Sequence, residues 1–408
     1  MSTNPVVPPS WIYASKQYSM HSDALSENIA IFRPVKDFYD SRAPATPIKV
    51  VIDSNSSFLR PQRSYLSMKI TCYNSDGSLN TTANVSSIGA MSCFRTMSTK
   101  VGGKLVDTIE DLPTLIADTY QPMTVAQKAY LGYYEGYGNS SVLANSTGSF
   151  TVKHFPLASV FNPVNGQPLP ICVLPNQALE LNLTLNTPQN AFTNAASGSY
   201  FVISEVRYVA QLVTPSGQYL STLWDGIRSG KFLEIDLNGV TQLSNTCSGA
   251  SQNNFLLPLA NARIYGLTHR FRKDSDYTAA TGDKALIYTT QGLKAWRYVI
   301  GQYRCPLTED FKIDDTLLIR DLSLADNTSF QSEDIDFDTF FTEQFVFSYA
   351  WRSMDEDENS ALSLVGSDGN LRLITIHDTA AVPGTDVSLL TTVYTQKTLL
   401  IGNTVDVV

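Results

Sequence analysis

The residue types able to do chemistry are present in this chain, but their spacing does not assemble a reaction. The stretch VGGKLVD at 101–107 carries a Gly-Gly-Lys, the heart of a phosphate-binding loop. That motif needs Ser or Thr after the lysine and an earlier glycine, yet Leu105 and Ser98 stand at those places. The context is also a hairpin, not a strand opening into a helix. Histidines at 21, 154, 269 and 377 lie far apart, and His269 and His377 fall within predicted strands, so they read as structural or surface residues. Cysteines at 72, 93, 172, 247 and 305 are odd in number and widely spaced, with no CxxC. This argues against a zinc site, a redox motif or a disulfide framework and for buried thiols in a reducing compartment.

Carboxylates do cluster, as SEDIDFD at 332–338 and MDEDEN at 354–359. A pair of acids could serve a glycosidase on a β-sandwich. The second cluster also imitates the start of a calcium loop, with Asp355, Asp357 and Asn359 at alternate positions. Ser360 then occupies the glycine position and Gly366 the position of the bidentate glutamate. A solvated acidic loop is the better reading, with an irregular calcium site as its alternative. Neither GxSxG nor HExxH occurs. No catalytic, cofactor-binding or metal-binding residue is assigned, and no cofactor is expected.

If no cleft is built, the residues serve some other end. The chain has 408 residues, of which 43% are hydrophobic and only 16% charged, with 20 Tyr and 19 Phe. Such a mix suits strands and turns better than helices. A net charge of −9 makes a direct nucleic-acid partner unexpected, because phosphate binding needs clustered Lys and Arg. The opening MSTNPVVPPSWIY shows no basic segment followed by an apolar one, so no secretion signal is expected. The N-x-S/T triplets at Asn55, Asn80, Asn84, Asn139, Asn145, Asn182 and Asn327 then read as polar turns and strand faces. No apolar run approaches the ~18 residues of a membrane span.

Residues 1–47 read as an N-terminal arm, rich in proline and with balanced charge. Strands follow. Ile48, Val50 and Ile52 share one face; Leu66, Met68, Ile70 and Cys72 share another, before the turn Asn74–Gly77. STKVGGKLVDT predicts a hairpin turning at Gly102 and Gly103. Thr124 and Gln127 form a capping box for a helix ending near Gly136. ALELNLTLN is the cleanest strand, with Leu179, Leu181, Leu183 and Leu185 facing in. EVRYVAQLV closes a first block at 48–213, and 214–230 reads as a linker around a short helical piece. Strands resume over a second block, 231–408, with a hairpin at Gly301. Two blocks of short strands and polar turns predict two antiparallel sandwiches.

Several patches carry a resemblance. SDGNLRLITI at 367–376, followed by VSLLTTVYTQKTLLIG, is similar to the closing hairpin of double jelly-roll major capsid proteins. These belong to the tectivirus–adenovirus lineage, with virophages, Polinton-like viruses and large nucleocytoplasmic DNA viruses. SFLRPQRSYLSMKI, LKAWRYVIGQYRCPL and FLLPLANARIYGLTHRF resemble other strands of that family, whereas 120–175 matches poorly. The resemblance implies an all-β fold of two consecutive eight-stranded jelly-roll sandwiches with short helices in loops. It implies a virion protein without enzymatic activity, forming homotrimeric, pseudo-hexagonal capsomers of an icosahedral shell. Its partners would be itself, neighbouring trimers, penton and minor capsid proteins and, in some viruses, an internal membrane. Assembly would take place in the host cytoplasm or nucleus. The alternatives are a jelly-roll penton or spike protein, or a carbohydrate-binding or carbohydrate-hydrolysing sandwich using the acidic loops.

Overall fold

The computed structural model describes residues 24–120, 125–138, 147–152, 159–163, 167–174, 178–193, 195–259, 263–277, 288–316, 340–342, 344–351, 362–363, 370–402 and 404–407. His21, His154, Thr124, residues 1–23 of the arm and the acidic stretches 332–338 and 354–359 lie outside these residues.

Strand formation follows the period-two pattern wherever that pattern is clean. Eight strands make the first roll: β1 (Ala24–Phe32), β2 (Ile48–Ile52), β3 (Phe58–Tyr73), β4 (Phe94–Val101), β5 (Lys104–Ile109), β6 (Thr147–Val152), β7 (Leu179–Leu185) and β8 (Tyr200–Pro215). They form two antiparallel sheets, ordered β1-β8-β3-β6 and β2-β7-β4-β5. In β7 every second residue is buried, and Leu179, Leu181 and Leu183 lie opposite Ile52, Val50 and Ile48 of β2. On its other side β7 sets the same leucines opposite Val101, Thr99 and Met97 of β4. These buried residues form the middle of the first core. The β4–β5 hairpin turns at Gly102 and Gly103, with φ of 57° and 86°. Two successive positive φ values define the primed turn that matches strand twist, which is why glycine stands at both places.

A second set of eight strands repeats the order: β9 (Leu233–Thr246), β10 (Gln252–Pro258), β11 (Arg263–Lys273), β12 (Leu293–Ile300), β13 (Tyr303–Cys305), β14 (Phe347–Ala350), β15 (Asn370–His377) and β16 (Val387–Ile401). Its sheets run β9-β16-β11-β14 and β10-β15-β12-β13. Adding eight to each strand of the first roll reproduces the second. In both, the chain alternates between sheets so that the first strand lies beside the last, the double Greek-key wiring of a jelly roll. The second core is aromatic: Trp296, Tyr298, Phe271, Phe345 and Phe347 are all buried, among Leu371, Leu373, Leu389 and Val393.

Among the described residues the longer helices are α1 (Leu112–Tyr120), α2 (Val125–Glu135) and α3 (Gly217–Arg228). Ser216 caps α3, its Oγ accepting from the Tyr219 N–H at 3.2 Å, and Gly230 with φ 86° follows its end. This helix fills the segment expected to link the blocks. Gly136, with φ 78°, follows α2 as expected. By contact the chain forms two compact units that interleave in sequence. The first comprises 1–112, 131–240 and 397–408; the second comprises 113–130 and 241–396, so α1 and the start of α2 count with the second set of strands.

Three expectations need correcting. The arm does not extend over 1–47, because Ala24–Phe32 is β1 and pairs with β8 from Ala24↔Pro215 to Phe32↔Tyr208. The prolines at 34, 44 and 47 flank short strands without interrupting one. VSLLTTVY and KTLLIG, which read as a strand and a further final strand, are the single strand β16. The polar Thr395–Lys397 between them lacks a turn-forming residue, and the chain reverses only at Gly402, where Val405–Val407 pairs back on β16. Helix α1 was not anticipated, since its nine residues are too few for a convincing helical period.

Leu181 is fully buried between β2 and β4. Leu181→Ala is therefore expected to destabilise the protein by about 2–5 kcal/mol, read as a lowered midpoint in chemical denaturation.

Candidate functional site

Among the described residues, the histidines and four of the five cysteines are withdrawn from solvent. His269 sits on the core face of β11, fully buried, because it alternates with Thr268 and Arg270 on the opposite face. Its Nδ1 lies 2.9 Å from Thr391 Oγ1 and its Nε2 2.9 Å from the Tyr298 hydroxyl. Phe347 stacks beside the ring at 4.9 Å. Burial pushes its pKa down to about 3, so the imidazole is neutral and both nitrogens are satisfied by hydroxyls. His377 donates from Nδ1 to the Gln291 carbonyl at 2.9 Å and accepts at Nε2 from Thr375 Oγ1 at 2.8 Å. Its pKa is also lowered, by burial foremost. The fold brings both histidines to one aromatic cluster, with Phe271 contacting His377 at 5.3 Å and Phe347 at 5.6 Å. The hydroxyls beside them are as buried as the rings, so neither faces solvent.

The five cysteines carry free thiols, four of them buried. Burial raises Cys72 to about 11 and Cys172 and Cys247 to about 12, and it raises Cys93 and Cys305 as well. Protonated, enclosed thiols are neither nucleophiles nor metal ligands at neutral pH. The Gly-Gly-Lys is the tip of a hairpin, and the ammonium of Lys104 pairs with Asp406. Among the described residues no group of three or more His, Cys, Asp or Glu side chains is placed to hold a metal ion.

One buried charged group escaped the sequence reading. Asp118 on α1 forms an enclosed ion pair with Arg270 on the outer face of β11. The same carboxylate accepts from Thr268 Oγ1 at 3.1 Å and Thr392 Oγ1 at 3.2 Å. The guanidinium lies over the Tyr288 ring at 4.6 Å, and the Tyr288 hydroxyl meets Thr114 Oγ1 of α1 at 3.0 Å. With its oxygens occupied by Arg270 and two threonines, Asp118 is an anchor for α1, not an acid or a base. In sequence Arg270 is one of several basic residues in RIYGLTHRFRK and does not stand out, and its partner lies 152 positions away.

What the fold leaves open is surface. Large apolar side chains are exposed at Ile29, Ile31, Val35 and Phe38 near β1, at Tyr133 on α2, and at Tyr303 and Leu307 around the β12–β13 hairpin. Contiguous exposed apolar residues mark contact surfaces more often than catalytic ones.

No protein-family model and no curated protein matches the chain. Solved structures do. A chain of the PBCV-1 virus capsid superposes with a TM-score of 0.64 at 12% identity, covering 96% of this chain and 98% of that one. The Faustovirus major capsid protein gives 0.58 at 8% identity, covering 95% and 92%. A chain of the Sputnik virophage gives 0.57 at 11% identity, covering 100% and 93%. The fold is thus the double jelly roll, shared over nearly the whole length of each chain despite the low identity. The strand order of both rolls states the same conclusion independently.

Two outcomes test these assignments. A histidine neutral in the fold but protonated when unfolded makes the unfolded state bind the extra proton. Stability is then complete above about pH 6.5 and falls by up to ~1.4 kcal/mol per pH unit as the pH drops toward 3. His269→Gln is expected to flatten that slope relative to wild type, measured by urea denaturation at successive pH values. Separately, Asp118→Ala is expected to cost about 3–5 kcal/mol by stranding Arg270, whereas Asp118→Leu with Arg270→Met costs much less; a double-mutant denaturation cycle reads the difference.

Proposed function

We propose that this chain is the major capsid protein of an icosahedral virus, a structural protein without enzymatic activity. The observation that supports this best is two eight-stranded rolls of identical wiring in one chain. That architecture aligns end to end with a PBCV-1 capsid chain and with the Faustovirus major capsid protein. Two successive rolls joined by α3 give each subunit two similar lobes. A closed threefold of such subunits presents six lobes, and so a pseudo-hexagonal tile able to pave a facet. The residues are spent on sheets because rigid faces are the product, and the reactive side chains serve only to tie those sheets together.

In this reading the principal partner is the chain itself, first as a homotrimer and then through neighbouring trimers. Penton and minor capsid proteins complete the shell, and an internal membrane, where a virus has one, lies beneath the tiles. The protein resides in the virion after assembly in the host cytoplasm or nucleus. The net charge of −9 suits a shell that does not itself grip the genome. A penton or spike needs only one roll, so the second roll favours the tile.

Light scattering on the purified protein tests the reading. The expected mass is three times the 44.9 kDa chain, about 135 kDa, stable across concentration and salt, and imaging should then show pseudo-hexagonal particles. A monomer under every condition would falsify the capsid role while leaving the fold intact.

A further inference from the structure

The first strand of the first roll is an open edge. β1 pairs with β8 on one side, and among the described residues no strand pairs with its other side. Its outward row is apolar: Ile29 is 75% exposed and Ile31 53%, continued by Val35 at 97% and Phe38 at 67%. The charge that precedes them is already answered, since Glu27 accepts from Arg60 at 2.6 Å and from Gln211 at 2.7 Å. A nine-residue edge with exposed isoleucines and, among the described residues, no strand on its free side is a template for a further strand.

The sequence of that edge is complementary to itself. Laid antiparallel on a second copy with Ala30 at the centre, Ile29 falls opposite Ile31 and Ile31 opposite Ile29, with Glu27 kept by Arg60 and Gln211 of its own chain. Apolar cross-strand pairs of that kind are stabilising. We infer that β1 is a twofold docking edge for a second copy of this chain, joining two first-roll sheets into one continuous sheet through β1–β1 pairing. The contact is isologous and closes on itself, so it is distinct from a threefold and would join one capsomer to the next. The inference rests on the proposed shell-forming role.

Site-directed crosslinking of the full chain tests the register. In the inferred pairing, residue 30 meets residue 30 of the copy at roughly 4.5–5.5 Å between Cα atoms, within the disulfide range of roughly 4.4–6.8 Å. Two copies of residue 28 are about 14 Å apart. Under mild oxidation Ala30→Cys is expected to yield a covalent dimer of twice 44.9 kDa, about 90 kDa. Asn28→Cys is expected to give at most about a tenth of that yield, and wild type, with four of its five thiols buried, serves as background. Ile29→Asp added to Ala30→Cys should abolish the dimer while circular dichroism stays unchanged. Equal yields from both cysteines, or none from either, overturn the inference. So does an Ala30→Cys dimer that forms only after removal of residues 1–22, because the chain's own beginning would then occupy the edge. If wild type keeps its trimer mass while Ala30→Cys fails to crosslink, the docking edge is wrong and the capsid reading stands. A wild-type monomer under every condition removes the capsid reading instead.

Discussion

Each roll depends on pairing its first strand with its last. β1 lies against β8 in register from Ala24↔Pro215 to Phe32↔Tyr208, and β9 lies beside β16 in the second roll. Neither sheet can complete its strand order until the whole intervening chain is in place. Such non-local pairing carries a large loop-closure cost before any contact compensates it, which makes jelly-roll topologies slow to form. The compensation comes from two inner faces: Leu179, Leu181 and Leu183 among buried aromatics such as Phe94, Phe150 and Phe201 in the first roll, and Trp296, Phe271 and Phe347 in the second.

This constraint explains where the polar residues went. A strand covered on both sides cannot be apolar on one face only, so β11 places His269 inward and Thr268 and Arg270 toward α1. Each buried polar group must then find a partner, because a lone buried donor or charge costs several kcal/mol. His269 finds two hydroxyls, Arg270 finds Asp118, and His377 finds a carbonyl and a hydroxyl. Groups that would signal catalysis in a cleft serve here as links between strands.

Function then passes to surfaces and edges. A sandwich has edges that a closed barrel lacks, and a protein that forms a shell can use those edges where a monomer must blunt them. The exposed row of β1 and the protruding Tyr303 and Leu307 are features a solitary soluble protein tends to avoid. They are consistent with a chain whose finished state is an assembly.

The sequence alone determined the alternating elements: the leucines of β7, the aliphatics of β2, the glycine turn between β4 and β5, and the failure of each catalytic motif. These are local properties, set by a two-residue period and by the positive φ that only glycine adopts cheaply. Tertiary structure decided the rest. β1 was hidden among flanking prolines because its partner β8 lies far along the chain. β16 read as two strands because TQK is polar, yet pairing with β11 holds it extended through Gln396. Asp118 carried no signal at all, since what makes it matter is Arg270, Thr268 and Thr392 converging on it in space. Long-range pairing has no local period, and so sequence spacing reveals the strands but not their neighbours.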